Sequence, residues 1–122
     1  MKHDVLFQIT TQNVYSMAFE AALKIYELSN RFPHDDPHKL HNSIIRSSSA
    51  VCSNLQNAWQ NREIDDIYVD RLNLASIEAN ETQNKLISAV KLGYLKKEEV
   101  KKIDKTYQNV IEKIANMIEG KK

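Results

Sequence analysis

One short segment of the sequence collects residue types that bind metal ions. Three histidines and two aspartates occur within eight residues: His34, Asp35, Asp36, His38 and His41. Imidazole and carboxylate groups are ligands that Zn²⁺ or Ni²⁺ accepts. Only His38 and His41 would share a helical face, because His34 precedes the helix start expected at Pro37. Histidines in a loop are most often solvated polar groups, so we expect no metal and no cofactor here.

A second candidate for chemistry is a pair of carboxylates, Glu78 and Glu81, which are three residues apart and share one face of a helix. Such a pair could act as acid and base or hold a metal. A di-iron bundle requires Glu-x-x-His motifs on two helices, and this sequence has none. We instead predict that Glu81 pairs with Arg46 of the neighbouring helix, a polar contact that fixes the register of the two helices.

The segment from Arg46 to Ser53 has an unusual composition, because six of its eight residues are Ser, Ala or Cys. Serine is a mediocre helix former, so small side chains here favour close helix packing, either within the bundle or across a subunit contact. The alternative is a surface that contacts phosphate through Arg46 and the hydroxyls. Cys52 has no histidine nearby on its helix and is interpreted as a small buried apolar side chain. We expect no enzymatic activity.

The basic residues concentrate near the end of the chain. Residues 1–90 carry eight basic and eleven acidic side chains, net −3, whereas residues 91–122 carry nine and five, net +4. Lys97, Lys101 and Lys105 align at steps of four on one helical face. In one copy such a stripe is typical of a solvated face. Repeated around an assembly it could follow a phosphate backbone, so RNA or DNA remains a candidate partner.

These candidates must be positioned by helices. The chain has 122 residues, 42% of them hydrophobic, with two Gly, two Pro and one Cys. This composition disfavours disorder, an all-β fold and a disulfide-stapled module. Apolar periodicity predicts helices at about residues 11–31, 37–61, 63–92 and 96–119. Short connections then favour a single domain, 1–122, folded as an all-α, antiparallel up-down-up-down four-helix bundle.

The helix ends and inner faces follow from particular residues. Asp36-Pro37 supplies a helix start, and Gly93 a helix stop with Tyr94 and Leu95 folding back. In the third helix the positions of the stripe repeat at steps of four and three: Tyr68, Leu72, Ala75, Ala79, Thr82, Leu86, Ala89 and Gly93. No apolar run is long enough for a signal peptide or a membrane span, so we expect a cytoplasmic protein without a membrane partner.

Two groups of residues are candidates for a subunit interface. In the first helix, Phe19, Leu23 and Tyr26 widen the apolar surface beyond what one bundle core requires. Trp59 and Arg62, near the end of the second helix, are residue types enriched at interface hot spots. Base stacking is the alternative for this second group. We favour contact with another copy of the chain.

Three stretches together carry a family resemblance: Phe32-Pro33; Arg46 to Asn54, followed by Trp59 and Arg62; and Leu72 to Leu95, with Glu81-Thr82-Gln83 between. Over roughly residues 15–118 the chain resembles the bacterial four-helix-bundle family encoded in intervening sequences of 23S rRNA genes. The resemblance implies a homo-oligomer, expected to be a pentamer, with no established enzymatic activity. The accessory variability proteins of diversity-generating retroelements are related, and they bind a reverse transcriptase and nucleic acid.

The sequence therefore predicts a non-enzymatic, self-associating helical bundle that acts as a structural or binding module. The alternative is a nucleic-acid-binding accessory protein of a reverse transcriptase or of an rRNA-associated element. A metal-binding bundle is the third interpretation.

Overall fold

The computed structural model describes residues 2–121, with side chains from Thr10 to Lys121. Four helices account for most of this range: α1, Lys2–Ser29; α2, Leu40–Gln60; α3, Asp65–Lys91; and α4, Lys97–Glu119. Residues 2–121 contain no strand. The all-α prediction is confirmed.

The helices pack as an up-down bundle. Each helix contacts the next one in the chain, and α1 closes the arrangement against α4, while α2–α3 is the most extensive contact. Ser47 contacts Thr82 and the Ser43 carbonyl contacts Lys85, so residue numbers rise on α2 as they fall on α3. Antiparallel order also holds for α1 and α4, because Arg31, just beyond the end of α1, pairs with Glu99 in the first turn of α4.

One apolar core lies between the four helices. The third helix buries seven of the eight positions predicted from its spacing, and the eighth, Gly93, lies beyond the end of the helix and is exposed. The fourth helix buries six residues at the same spacing: Val100, Ile103, Tyr107, Val110, Ile114 and Met117. Steps of four and three keep these side chains on one side of a helix, which is the geometry of near-antiparallel packing.

The first helix begins earlier than predicted, at Lys2 rather than near Thr11. Among the α1 side chains that the structure describes, the buried apolar ones lie between Val14 and Ile25. Nothing before Pro33 interrupts the backbone, since this stretch contains neither Gly nor Pro. The helix therefore extends toward the N-terminus beyond the start that the apolar spacing predicted.

The second helix begins later than predicted, at Leu40 rather than Pro37. Lys39 has φ 50° and ψ 38°, a left-handed conformation that a right-handed helix cannot include. Asp36 still caps the helix: its Oδ2 accepts a hydrogen bond from the Leu40 amide at 2.8 Å, and its Oδ1 one from the His38 amide at 3.1 Å. The Asp36-Pro37 motif therefore identified the capping residue correctly, but residues 37–39 form a turn between Asp36 and the first residue of the helix.

The stop after α3 has the predicted form. Gly93 has φ 80°, and its amide donates to the Val90 carbonyl while the Tyr94 amide donates to that of Ala89. This pair of bonds is the Schellman arrangement, which satisfies carbonyls that the helix leaves free. Leu95 then turns back into the core, where it is 4% exposed.

Candidate functional site

A shallow apolar groove lies between α1 and α2. Its α1 side presents Tyr15, Phe19, Ala22 and Tyr26, which repeat at steps of four and three, with Leu23 beside them. Phe19, Leu23 and Tyr26 are 47%, 51% and 57% exposed. Tyr15 and Phe19 stack, with ring centroids 6.1 Å apart. Water therefore contacts a continuous aromatic and aliphatic surface on this side of the bundle.

The other side of the groove is built by small residues of α2. Ile45, Ser48, Ser49 and Cys52 line it, and the enclosed space is about 300 Å³. Ser48 donates its hydroxyl to the Ile45 carbonyl, so that hydroxyl is already satisfied within the helix. None of the residues that line the groove is charged. The small-residue segment predicted to favour close packing thus also forms the wall of this groove.

Cys52 is half-buried in that wall. Burial raises the pKa of its thiol to about 11, because the thiolate would lose solvation there. The thiol is therefore protonated at neutral pH. This state agrees with the interpretation of Cys52 as a small apolar side chain and disfavours a nucleophile.

Trp59 and Arg62, the second pair of interface candidates, contact each other. The Arg62 guanidinium lies 4.0 Å from the centre of the Trp59 ring, and its Nη1 donates to the Trp59 carbonyl at 3.0 Å. Both side chains are half-buried. Stacking of a cation on an indole stabilises the end of α2, so this pair has a structural role within one copy. Contact with another copy stays a prediction.

Arg46 and Glu81 do not form the predicted contact. Both side chains are exposed, and within residues 10–121 no ion pair joins them. The contact between α2 and α3 lies one residue further along each helix, where the buried Thr82 hydroxyl donates to Ser47 Oγ at 2.9 Å. Consecutive residues of a helix are rotated by about 100° about its axis. Arg46 and Glu81 therefore face the outer surface, whereas the next residues, Ser47 and Thr82, face the interface between the two helices.

A polar cluster that the sequence analysis missed joins the two loops at one end of the bundle. The Tyr94 hydroxyl donates to Asp36 Oδ1 at 2.7 Å, and Arg31 donates to Glu99 Oε2 at 2.6 Å. Burial opposes ionisation of Asp36, but bonds from Tyr94, Leu40 and His38 outweigh it and lower the pKa of the carboxyl group. An aspartate before proline was the available signal, but its partner is 58 residues away.

The histidine segment does not converge on one point. Across residues 10–121, no group of three or more His, Cys, Asp or Glu side chains is placed to hold a metal ion. His34 and His41 lie around an open hollow of about 750 Å³ near the α1–α2 loop. The Asp36 carboxylate at its edge is occupied by the bonds described above. The hollow therefore offers no assembled set of metal ligands.

The lysine stripe is fully on the surface. Lys97, Lys101 and Lys105 are exposed and form no ion pair with any of the residues described. Glu98 is exposed close by, whereas Glu99 is engaged by Arg31 and by the Lys96 amide. The three ammonium groups thus face solvent as an open cationic surface on α4.

A family model for the 23S rRNA-intervening sequence protein matches residues 10–116 of this chain. The chain belongs to this family. Among solved structures it is similar to a protein of unknown function from the S23 ribosomal protein family of Bacteroides thetaiotaomicron, at 22% identity and a TM-score of 0.79. That similarity covers 90% of this chain and 98% of the other, and it shows the shared fold. No curated protein matches the chain.

Membership of the 23S rRNA-intervening sequence protein family agrees with the resemblance found in the sequence. Within the described part of this family member, each helix is too short or too polar to cross a membrane. The groove between α1 and α2 and the lysine stripe of α4 are both exposed to solvent in the described structure.

Proposed function

We propose that this protein is a non-enzymatic module that self-associates through the apolar groove between α1 and α2. The observation that carries the proposal is the exposure of Phe19, Leu23 and Tyr26 on one side of α1. Burying a side chain of this size contributes about 1.5–3 kcal/mol. Because the three side chains are already about half buried in one copy, covering them would contribute about 2–4 kcal/mol toward the roughly 8 kcal/mol that micromolar association requires, and further contacts around the groove would supply the rest.

The proposal extends to the stoichiometry expected from the family resemblance, a pentamer. Sedimentation velocity at micromolar concentration tests it, with a species several times the 14.1 kDa of one chain as the expected result. Leu23→Lys should weaken assembly about 10- to 100-fold, because a charge would be buried in the apolar contact. Asn13→Lys is the control, since Asn13 is exposed on α1 outside the groove. A wild-type monomer would contradict the proposal.

A second candidate function is nucleic-acid binding by the lysine stripe, as an accessory protein of a reverse transcriptase or of an rRNA-associated element. The observation in its favour is that Lys97, Lys101 and Lys105 are exposed without ion pairs among the described residues. Multiplied in an oligomer, the stripe would form a positive band that releases counterions when it contacts phosphates.

The test is binding of a fluorescent 20-nucleotide single-stranded RNA, and of the matching DNA, across a salt series. Lys101→Glu should weaken binding and flatten its salt dependence. Lys113→Glu is the matched control, because Lys113 is exposed on α4 outside the stripe. Binding that is equally strong in both variants would exclude the stripe as the contact surface.

A further inference from the structure

Amide side chains lie along the outer edge of the contact between α3 and α4. Gln83 is 8% exposed, and its Nε2 donates to the Asp104 carbonyl and to Gln108 Oε1, both at 3.3 Å. Asn80 precedes Gln83 by three residues, so the two share one side of α3. Asn80, Asn84 and Gln108 are exposed. We call Asn80, Gln83, Asn84 and Gln108 the amide cluster.

Lysines of α3 and α4 border the amide cluster. Lys101 and Lys105 each precede by three residues one of the two α4 groups that Gln83 contacts, so both lie on the α3 side of α4. Lys91, in the last turn of α3, is exposed, and the antiparallel order of the helices places it at the same end of the bundle as Lys97. We call these four lysines, Asp104 and the amide cluster the α3–α4 seam.

The seam has an excess of positive charge. It contains four lysines and one acidic residue, the half-buried Asp104, which gives a net charge of +3. Glu81 and Glu98 are exposed nearby, but each follows a seam residue by one position and is rotated from it by about 100° around its helix. Glu112 lies one turn beyond Gln108, where the seam ends. A positive surface of this kind attracts a polyanion.

We infer that the α3–α4 seam binds single-stranded RNA, with phosphates on the lysines and with unpaired bases and 2′-hydroxyls on the amide cluster. This inference rests on the proposed nucleic-acid function of the lysine stripe and names the form of nucleic acid and a second set of contacts. Lys97, Lys101 and Lys105 are about 6 Å apart along the helix axis, so each can contact a different phosphate. An amide group both donates and accepts hydrogen bonds, as the edges of bases do. An unpaired strand exposes those edges, whereas an RNA duplex does not.

The seam offers hydrogen-bonding groups rather than stacking platforms. Within residues 10–121 the strongly exposed aromatic side chains, Phe19 and Tyr26, lie on α1. Proteins that bind single strands without sequence preference stack the bases on aromatic side chains. The 2′-hydroxyl of RNA donates and accepts hydrogen bonds, which amide groups can match. We therefore expect RNA to bind more tightly than DNA of the same sequence.

The first test compares four probes by fluorescence anisotropy at one salt concentration. The probes are a 20-nucleotide single-stranded RNA, DNA of the same sequence, the RNA duplex and poly-glutamate. Poly-glutamate has the negative charge but no bases and no sugar. The RNA single strand should bind at least about 10-fold more tightly than each of the other three, since one good set of base contacts discriminates by this amount.

The second test separates the amide contacts from the phosphate contacts. Asn80→Ala/Asn84→Ala should weaken RNA binding about 10-fold but leave its salt dependence unchanged, because amide groups release no counterions. Asn13→Ala/Asn57→Ala removes two exposed amides of α1 and α2 and is the matched control. Lys101→Glu should instead lower the slope of log K against log salt concentration by at least about 0.7.

The outcomes distinguish this inference from the proposed function on which it rests. If the duplex, the DNA or poly-glutamate binds as tightly as the RNA single strand, the inference is overturned. Equal RNA binding by the Asn80→Ala/Asn84→Ala variant and its control also overturns it. Both results leave the lysine stripe as a contact surface when Lys101→Glu weakens binding. A wild-type protein that binds neither RNA nor DNA overturns both the inference and the proposed nucleic-acid function.

Discussion

The inner and outer sides of α3 have the same spacing of residues but different surroundings. On the inner side, Leu72 and Leu86 are at most 1% exposed and pack in the core. On the outer side, Ile77 and Ile87 are about half exposed. The spacing of residues alone therefore does not distinguish the two sides of α3. Only the burial of the side chains shows which side packs against the rest of the chain.

The largest difference between the two sides should appear in the free energy of unfolding. Leu72→Ala removes a fully buried side chain and should cost about 2–5 kcal/mol. Ile77→Ala should change the stability of the dissociated chain by less than about 0.5 kcal/mol. Urea unfolding, followed by circular dichroism at a concentration too low for assembly, measures both. Equal losses in the two variants would mean that Ile77 is buried within one copy.

A smaller effect is expected from the hydrogen bond that joins α2 and α3. Thr82→Val keeps the shape of the buried side chain but removes its bond to Ser47, so we expect a loss of about 0.5–1.5 kcal/mol. The Thr82 hydroxyl also bonds to the Glu78 carbonyl of its own helix. Thr106→Val is the matched control, because the Thr106 hydroxyl makes the same bond to the Lys102 carbonyl but, among the described residues, has no partner on another helix. The same urea titration measures both. A larger loss at Thr106 would contradict the assignment of Thr82 as the interhelical contact.

The polar cluster at the loop end should make stability depend on pH. Because the pKa of Asp36 is lowered below its usual value of 3.8, its ionised form stabilises the fold at neutral pH. That contribution is lost as the pH falls through the lowered pKa. Asp36→Asn should therefore melt below the wild type at pH 7, and the gap should shrink below about pH 4.

Thermal melts of both proteins from pH 7 to pH 3 test this expectation. Glu99, whose pKa is also lowered by the Lys96 amide and by Arg31, is common to both proteins and cancels in the difference. Tyr94→Phe should reproduce part of the effect, since the Tyr94 hydroxyl donates to Asp36. A gap that stays constant down to pH 3 would show that ionised Asp36 contributes nothing.

The sequence predicted features that depend on neighbouring residues, but it did not predict features that depend on residues far apart in the chain. The inner stripe of α3 and the Gly93 stop depend on local spacing and on one backbone angle, and the structure buries the positions from Tyr68 to Ala89 and ends the helix before Gly93. The start of α2 depends on Lys39, which has a left-handed conformation, and on Asp36, which caps the helix. Asp36 accepts a hydrogen bond from the Tyr94 hydroxyl, which lies 58 residues away in the chain. Such a distant partner leaves no periodic signal. The sequence predicted the excess of apolar residues on the exposed side of α1. It did not predict that small residues of α2 form the opposite wall of the groove.

The smallest expected effect concerns Arg46 and Glu81, which the sequence suggested as a pair. Since both side chains are exposed and no ion pair joins them in the described structure, Arg46→Ala and Glu81→Ala should be additive within about 0.3–0.5 kcal/mol. A double-mutant cycle in urea measures the coupling. Ser47→Ala with Thr82→Val gives the contrasting cycle, in which the two residues share a hydrogen bond and should couple. Coupling between Arg46 and Glu81, without coupling between Ser47 and Thr82, would show that α2 and α3 interact through the outer pair of side chains.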